Sequence, residues 1–185
     1  IPRGTEILFI PFDLMLGRIE EDEDEEGGSE RLCKTISDIK DELVKRQDSR
    51  WWTYLKLDDS INSKIPAMWD QQDLDEFQGI PPEDSRRHIS WYTYACNSEE
   101  FESLSREEQH ALWIQITRSS DAGLMMIYDL ANHDNHKLNT RMVWPENPDE
   151  KGLVMQAKFD IEAGQEIFNS YGYESTSDLF RDYGF

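Results

Sequence analysis

The chain changes period several times along its length, and each change marks an element. Glu6-Ile7-Leu8-Phe9-Ile10-Pro11 is a short apolar run closed by proline, which predicts a buried strand. Leu32, Ile36, Ile39 and Leu43 then fall at spacings of four, three and four. This is one apolar stripe, and it predicts an amphipathic helix from about Glu30 to Arg46. Trp51-Trp52-Thr53-Tyr54-Leu55 leads into Pro66-Ala67-Met68-Trp69, an aromatic-rich stretch of short helical pieces whose rings belong to the core. Ser105-Arg106-Glu107-Glu108 has the form of a capping box. The helix it opens carries Leu112, Trp113 and Ile116 toward Arg118. Ala122 to Tyr128 is an apolar run of strand length that ends at Asp129. Two further strands, Leu153 to Ala157 and Glu166 to Asn169, flank the turn at Ala163-Gly164. A last helix, about Thr176 to Asp182, stops before Gly184. Strands and helices in this order predict one mixed α+β domain.

Charge narrows the partners. The 185 residues hold 19 basic and 39 acidic side chains, a formal charge of −20, which repels phosphate backbones and suits a cationic partner. Direct nucleic-acid binding is therefore not expected. Aromatics at 11% argue for a packed core against wholesale disorder. Glu20-Glu21-Asp22-Glu23-Asp24-Glu25-Glu26 runs into Gly27-Gly28-Ser29, and such a like-charge block predicts a solvated loop. The alternating ligands and central glycine of a calcium loop are absent from it. No apolar stretch approaches the length of a membrane span, so no membrane association is expected. Ile1-Pro2-Arg3-Gly4 lacks both an initiator Met and a signal-peptide pattern. The two cysteines, Cys33 and Cys96, read as reduced thiols of an intracellular protein.

Most catalytic templates find no anchor. P-loop, GxGxxG and GxSxG patterns are absent, and neither cysteine carries a local nucleophile signature. His133 and His136 lie three apart, but a zinc site needs three or four ligands, so no metal is expected. Polar groups nevertheless gather at the ends of apolar runs. Asp129-Leu130-Ala131-Asn132-His133 follows one, and Ser170-Tyr171-Gly172 follows another.

Taken in order, these segments resemble one family. Ala163-Gly164-Gln165-Glu166-Ile167-Phe168-Asn169-Ser170-Tyr171-Gly172 is similar to the GEEI-x-x-SYG segment of SET-domain methyltransferases. Tyr183-Gly184-Phe185 resembles the YGF that closes the SET core of the Rubisco large-subunit methyltransferase type. Asp129 with Asn132-His133 resembles that subgroup's D-x-x-NH. Ile1 to Pro11 resembles its opening I-x-x-GE-x-L-x-x-P, and Trp52 to Leu55 with Ile65-Pro66 and Trp69 resembles the W-x-x-YL … P-x-x-W of its helical insert.

The resemblance implies a SET fold of small β-sheets with pseudoknot threading. Residues 1–19 would form the N-terminal SET strand region, 20–29 the acidic loop, 30–118 the helical insert and 119–185 the C-terminal SET core. It implies an S-adenosylmethionine-dependent protein methyltransferase acting on lysine, with histidine as the alternative target. A catalytically inactive interaction module is the alternative of another class. Tyr171 would line the reaction channel as the catalytic residue. Asp129, Asn132 and His133 would hold the cofactor where the chain threads past itself, Asn132 as a buried amide. Arg118 would take the cofactor carboxylate, and Tyr183, Gly184 and Phe185 would pack on the adenine region. The partner would be a protein presenting the target side chain to a monomeric enzyme. The compartment would be intracellular and reducing: cytoplasm, nucleus or plastid. Where the family has Ser-Asn, this chain has Ser175-Thr176, and Thr176 is expected to cap the last helix. The family's first strand and cofactor-binding turn would precede Ile1, and its helical C-terminal domain would follow Phe185.

Overall fold

The computed structural model describes residues 1–17, 28–56, 65–69, 71–76, 85–120, 122–172 and 175–184. The acidic run Glu20 to Glu26 and Phe185 lie outside them. The chain divides into two compact units, one of Ile1–Leu16 with Leu124–Tyr173 and one of Gly17–Gly123 with Glu174–Phe185.

The first unit is built of short strands: β1 (Glu6–Pro11), β2 (Met15–Leu16), β3 (Leu124–Met125), β4 (Asn132–His133), β5 (Thr140–Val143), β6 (Gly152–Ala157) and β7 (Phe168–Asn169). They pair as three sheets, β1-β6-β5, β2-β3 and β4-β7. The first two are antiparallel and the last is parallel. Strand β6 lies in the middle of its sheet with Val154, Met155 and Ala157 buried, which is why its sequence reads as nearly continuous apolar residues. A register shift between Glu6 and Leu8 leaves Ile7 as an extra residue against β6. Gly152 pairs with Pro11, and a Cβ there would sit 2.5 Å from the Phe9 ring and 2.6 Å from the Ile10 carbonyl. Only glycine lets β1 approach so closely.

Two strand expectations are corrected. The apolar run Ala122 to Tyr128 is extended only at Leu124–Met125. Ile127 then adopts φ 73°, an unusual backbone for a β-branched residue, and turns the chain into a 3-10 turn over Tyr128–Leu130. The expected strand Glu166 to Asn169 is paired only at Phe168–Asn169. Strand β5, with its mixed Thr140-Arg141-Met142-Val143, carried no periodic signal and was not expected.

The second unit holds α1 (Gly28–Lys45), α2 (Trp52–Leu55), α3 (Gln71–Glu76), α4 (Arg87–Ala95), α5 (Arg106–Arg118) and α6 (Thr176–Tyr183). The stripe read from the sequence does its expected work. Ile36, Ile39 and Leu43 are buried, and α1 packs on α5, whose Ala111 to Ile114 are buried in succession. Gly17 lies against α1 at φ 80°, its N–H on Asp38 at 3.1 Å, and a Cβ there would overlap Thr35.

Ser105 caps α5 by accepting the Glu108 N–H, but the Glu108 carboxylate accepts the Tyr92 hydroxyl at 2.8 Å and faces Lys40. Ser175, rather than Thr176, caps α6 by accepting the Asp178 N–H. Gly184 ends that helix in the left-handed region, with its N–H on the Phe180 carbonyl. The expectation of two reduced thiols is also corrected. Cys33 of α1 and Cys96, at the end of α4, have Cα atoms 5.5 Å apart, and their sulfurs are bonded. Among the described residues, no helix is long and apolar enough to cross a membrane.

Candidate active site

Four of the expected site residues lie in the strand unit, where β4 and β7 run side by side. Asn132 is in register with Phe168 and His133 with Asn169. Two residues per strand make a weak ladder, and side chains reinforce it. Asn139 donates to the Glu166 carbonyl and accepts the Phe168 N–H at 2.8 Å. The buried Thr140 hydroxyl donates to the Phe168 carbonyl at 2.7 Å. These bonds align β7 so that the next residues, Ser170-Tyr171-Gly172, meet the segment that follows β4.

Tyr171 is held at both ends. Its backbone N–H donates to Nδ1 of His133 at 2.9 Å, and its hydroxyl donates to the Ala131 carbonyl at 2.9 Å. A backbone N–H can only donate, so Nδ1 of His133 is the acceptor in this bond. The two rings lie tilted at 38° with centroids 5.2 Å apart. The tyrosine hydroxyl thus commits its proton to the Ala131 carbonyl. Tyr128, next to Asp129 in the 3-10 turn, donates its hydroxyl to the Asn169 side chain at 2.5 Å. Burial pushes the Tyr128 phenol up, and the Asn169 hydrogen bond opposes that shift.

Asn132 departs from expectation. It is exposed, and its amide donates to the Glu166 carboxylate at the surface. The buried polar groups beside β4 and β7 are Thr140 and Asn169 instead.

In the helical unit, Arg118 ends α5 half-buried, with its guanidinium 5.8 Å from the centre of the Tyr54 ring and Nη1 3.4 Å from the Tyr54 hydroxyl. Tyr183 is the last residue of α6 and Gly184 its left-handed cap. Neighbouring Asp182 is buried. It accepts from His88 at 3.0 Å, from Arg87 at 3.1 Å and from the fully buried Arg181 at 2.7 and 2.8 Å. Burial resists its ionisation, but the hydrogen bonds and charges of His88 and Arg181 outweigh that and hold the carboxyl well below its ordinary range.

A family model for the SET domain matches residues 1–172. The chain belongs to the SET-domain family. No curated protein matches it.

SET domains are typically protein-lysine methyltransferases that use S-adenosylmethionine, and membership supports methyltransferase activity in general terms. Within this SET domain, the structure brings His133 and Tyr171 into direct contact and joins Asn132 to the β7 side through Glu166. It also adds residues that the sequence did not single out. Asn135, Asn139 and Thr140 tie the segment after β4 to the β7 segment, and Tyr54 meets Arg118. Asn135 and Asn139 are short amides that closely follow the Asn-His pair, a sequence signal that could have pointed to them. Among the described residues no group of His, Cys, Asp or Glu comes together to hold a metal ion.

Proposed function

We propose that this SET domain is an S-adenosylmethionine-dependent protein methyltransferase of the Rubisco large-subunit methyltransferase type, acting on lysine. The observation that carries the reading is Tyr171, whose backbone N–H is held by His133 and whose hydroxyl is held by the Ala131 carbonyl. When bound, the cofactor supplies an electrophilic methyl group. The chain's task is then positioning, since in-line transfer gains most from holding nucleophile and electrophile aligned. Tyr171 orients the incoming amine: its hydroxyl oxygen accepts from an amine N–H, and its ring gives the channel an apolar wall. Desolvation there favours the neutral, nucleophilic lysine.

The family resemblance assigns the cofactor's contacts to residues of this chain. Arg118 would take its carboxylate, Asp129, Asn132 and His133 its amino-acid and adenine groups, and Tyr183 and Gly184 the face of its adenine, with Phe185 completing that wall. A guanidinium suits the carboxylate because its two parallel N–H groups match the two oxygens. Pseudoknot threading is supported by the parallel pairing of β4 with β7. A helical insert over residues 30–118, between SET segments 1–19 and 119–185, is supported in part by the clustering of Gly17–Gly123 in one unit, although that unit also takes in Glu174–Phe185. The formal charge of −20 favours a basic protein substrate over nucleic acid. We place the enzyme inside the cell as a monomer, but the Cys33–Cys96 bond argues against the reducing compartment expected from the sequence.

The test is transfer of a labelled methyl group. The full-length protein, labelled cofactor and a cell extract are incubated, and the modified protein is sequenced by mass spectrometry. Label on a lysine side chain supports the proposal, and label on histidine replaces lysine as the target. Cofactor binding without any transfer would support the inactive interaction module instead.

A further inference from the structure

The turn that carries Tyr171 is gripped by a residue that no part of the methyltransferase reading assigns. Asn135 stands in the turn after β4, half-buried, and spans Tyr171 from both sides. Its Nδ2 donates to the Gly172 carbonyl at 2.9 Å, and its Oδ1 accepts the Ser170 hydroxyl at 2.6 Å. The Ser170 oxygen in turn accepts the Gly172 N–H at 3.3 Å, closing a ring of hydrogen bonds around the tyrosine's backbone. Gly172 sits at φ 120°, a conformation that side-chain-bearing residues rarely adopt, so the turn is not held by local preference alone. The five residues from Ala131 to Asn135 thus contact Tyr171 or its neighbours at four points: hydroxyl, N–H, preceding side chain and following carbonyl.

We propose that Asn135 is a positioning residue for methyl transfer: it fixes the rotation of the Ser170-Tyr171-Gly172 turn and so the aim of the Tyr171 hydroxyl. The inference rests on the methyltransferase reading of the same site. An amide is required because one side chain must accept from Ser170 and donate to Gly172. A carboxylate of the same shape keeps the first bond and turns the second into repulsion between two oxygens. Displacement of the turn by an ångström would cost turnover heavily, because alignment is where this chemistry gains its rate.

The experiment compares wild type with Asn135→Asp, Ser170→Ala, Tyr171→Phe and the double variant Asn135→Asp/Tyr171→Phe, all in the full-length protein. We expect Asn135→Asp to lower kcat by about tenfold or more, with KM for the protein substrate and cofactor affinity unchanged. Ser170→Ala, which removes one arm only, should lose less. The double variant should be no slower than Tyr171→Phe alone, since both changes act through one hydroxyl. In parallel, tyrosine ring-carbon NMR should show the Tyr171 resonance moving in Asn135→Asp while that of Tyr92 stays in place. Multiplying losses in the double variant, an unaffected kcat, or a Tyr171 resonance that does not move would each overturn the proposal. If wild type transfers no methyl group, the methyltransferase reading fails, and the resonance alone decides whether Asn135 positions Tyr171.

Discussion

Nδ1 of His133 accepts the backbone N–H of Tyr171 at 2.9 Å, although 38 residues separate the two in the chain. The imidazole therefore does more than occupy a cofactor motif, because it fixes the strand that presents the tyrosine. His133→Ala leaves that half-buried N–H without its acceptor, at a cost of about 1–3 kcal/mol. For a chain of this length each kcal/mol moves the melting temperature by about 2–4 °C. Calorimetry should therefore show a clear drop, accompanied by slower methyl transfer. The exposed Asn132 gives the contrast, and Asn132→Ala should change stability by no more than about 0.5 kcal/mol. Equal melting temperatures for the two variants would mean that the His133 bond contributes nothing.

Much of the fold was legible because its signals are local. The stripe Leu32-Ile36-Ile39-Leu43, the Ser105 cap and the glycine stop at Gly184 each act within a few residues of themselves, and each appears where the sequence placed it. The site was not legible in that way. Strands β4 and β7 pair over two residues each, too few for any period to show. Their alignment comes from Asn139 and Thr140 reaching 27 to 29 residues along the chain. The motif order suggested that Asn132-His133 and Ser170-Tyr171-Gly172 belong together, but not which atoms meet. It misplaced Asn132 in the interior and passed over Asn135. The Cys33–Cys96 bond escaped for a related reason, since a spacing of 63 residues carries no pairing information.

That bond closes a long loop between α1 and α4. Removing such a link releases chain entropy in the unfolded state, and the expected loss is about 2–5 kcal/mol. Cys33→Ser, or treatment of the native protein with excess dithiol, should lower the melting temperature to the same extent. The double variant Cys33→Ser/Cys96→Ser should then be insensitive to reductant. A native protein whose melting is unchanged by dithiol, with both thiols reactive beforehand, would contradict the pairing.

Asp182 makes the helical unit sensitive to acid. Its carboxyl is held below the ordinary value of about 3.9 expected in the unfolded chain. The stability it supplies is thus fully present above about pH 4 and fades as pH falls through the native value. Asp182→Asn should lose that contribution at neutral pH and leave the buried Arg181 with Asp178, a break that costs about 3–5 kcal/mol. Chemical denaturation as a function of pH is the check. The variant's stability should fall less steeply than wild type's below about pH 4. Parallel curves would mean that Asp182 titrates alike in both states.

Turnover of Tyr171→Phe bears most directly on the central claim that this SET domain transfers methyl groups with Tyr171 aligning them. The measurement is single-turnover transfer from labelled S-adenosylmethionine by the full-length protein, with cofactor affinity determined by calorimetry on the same samples. Loss of the hydroxyl should slow transfer by roughly tenfold or more while the cofactor binds as before, since the ring and the His133 contact remain. A Phe variant that transfers methyl at the wild-type rate would remove Tyr171 from the reaction and contradict the account.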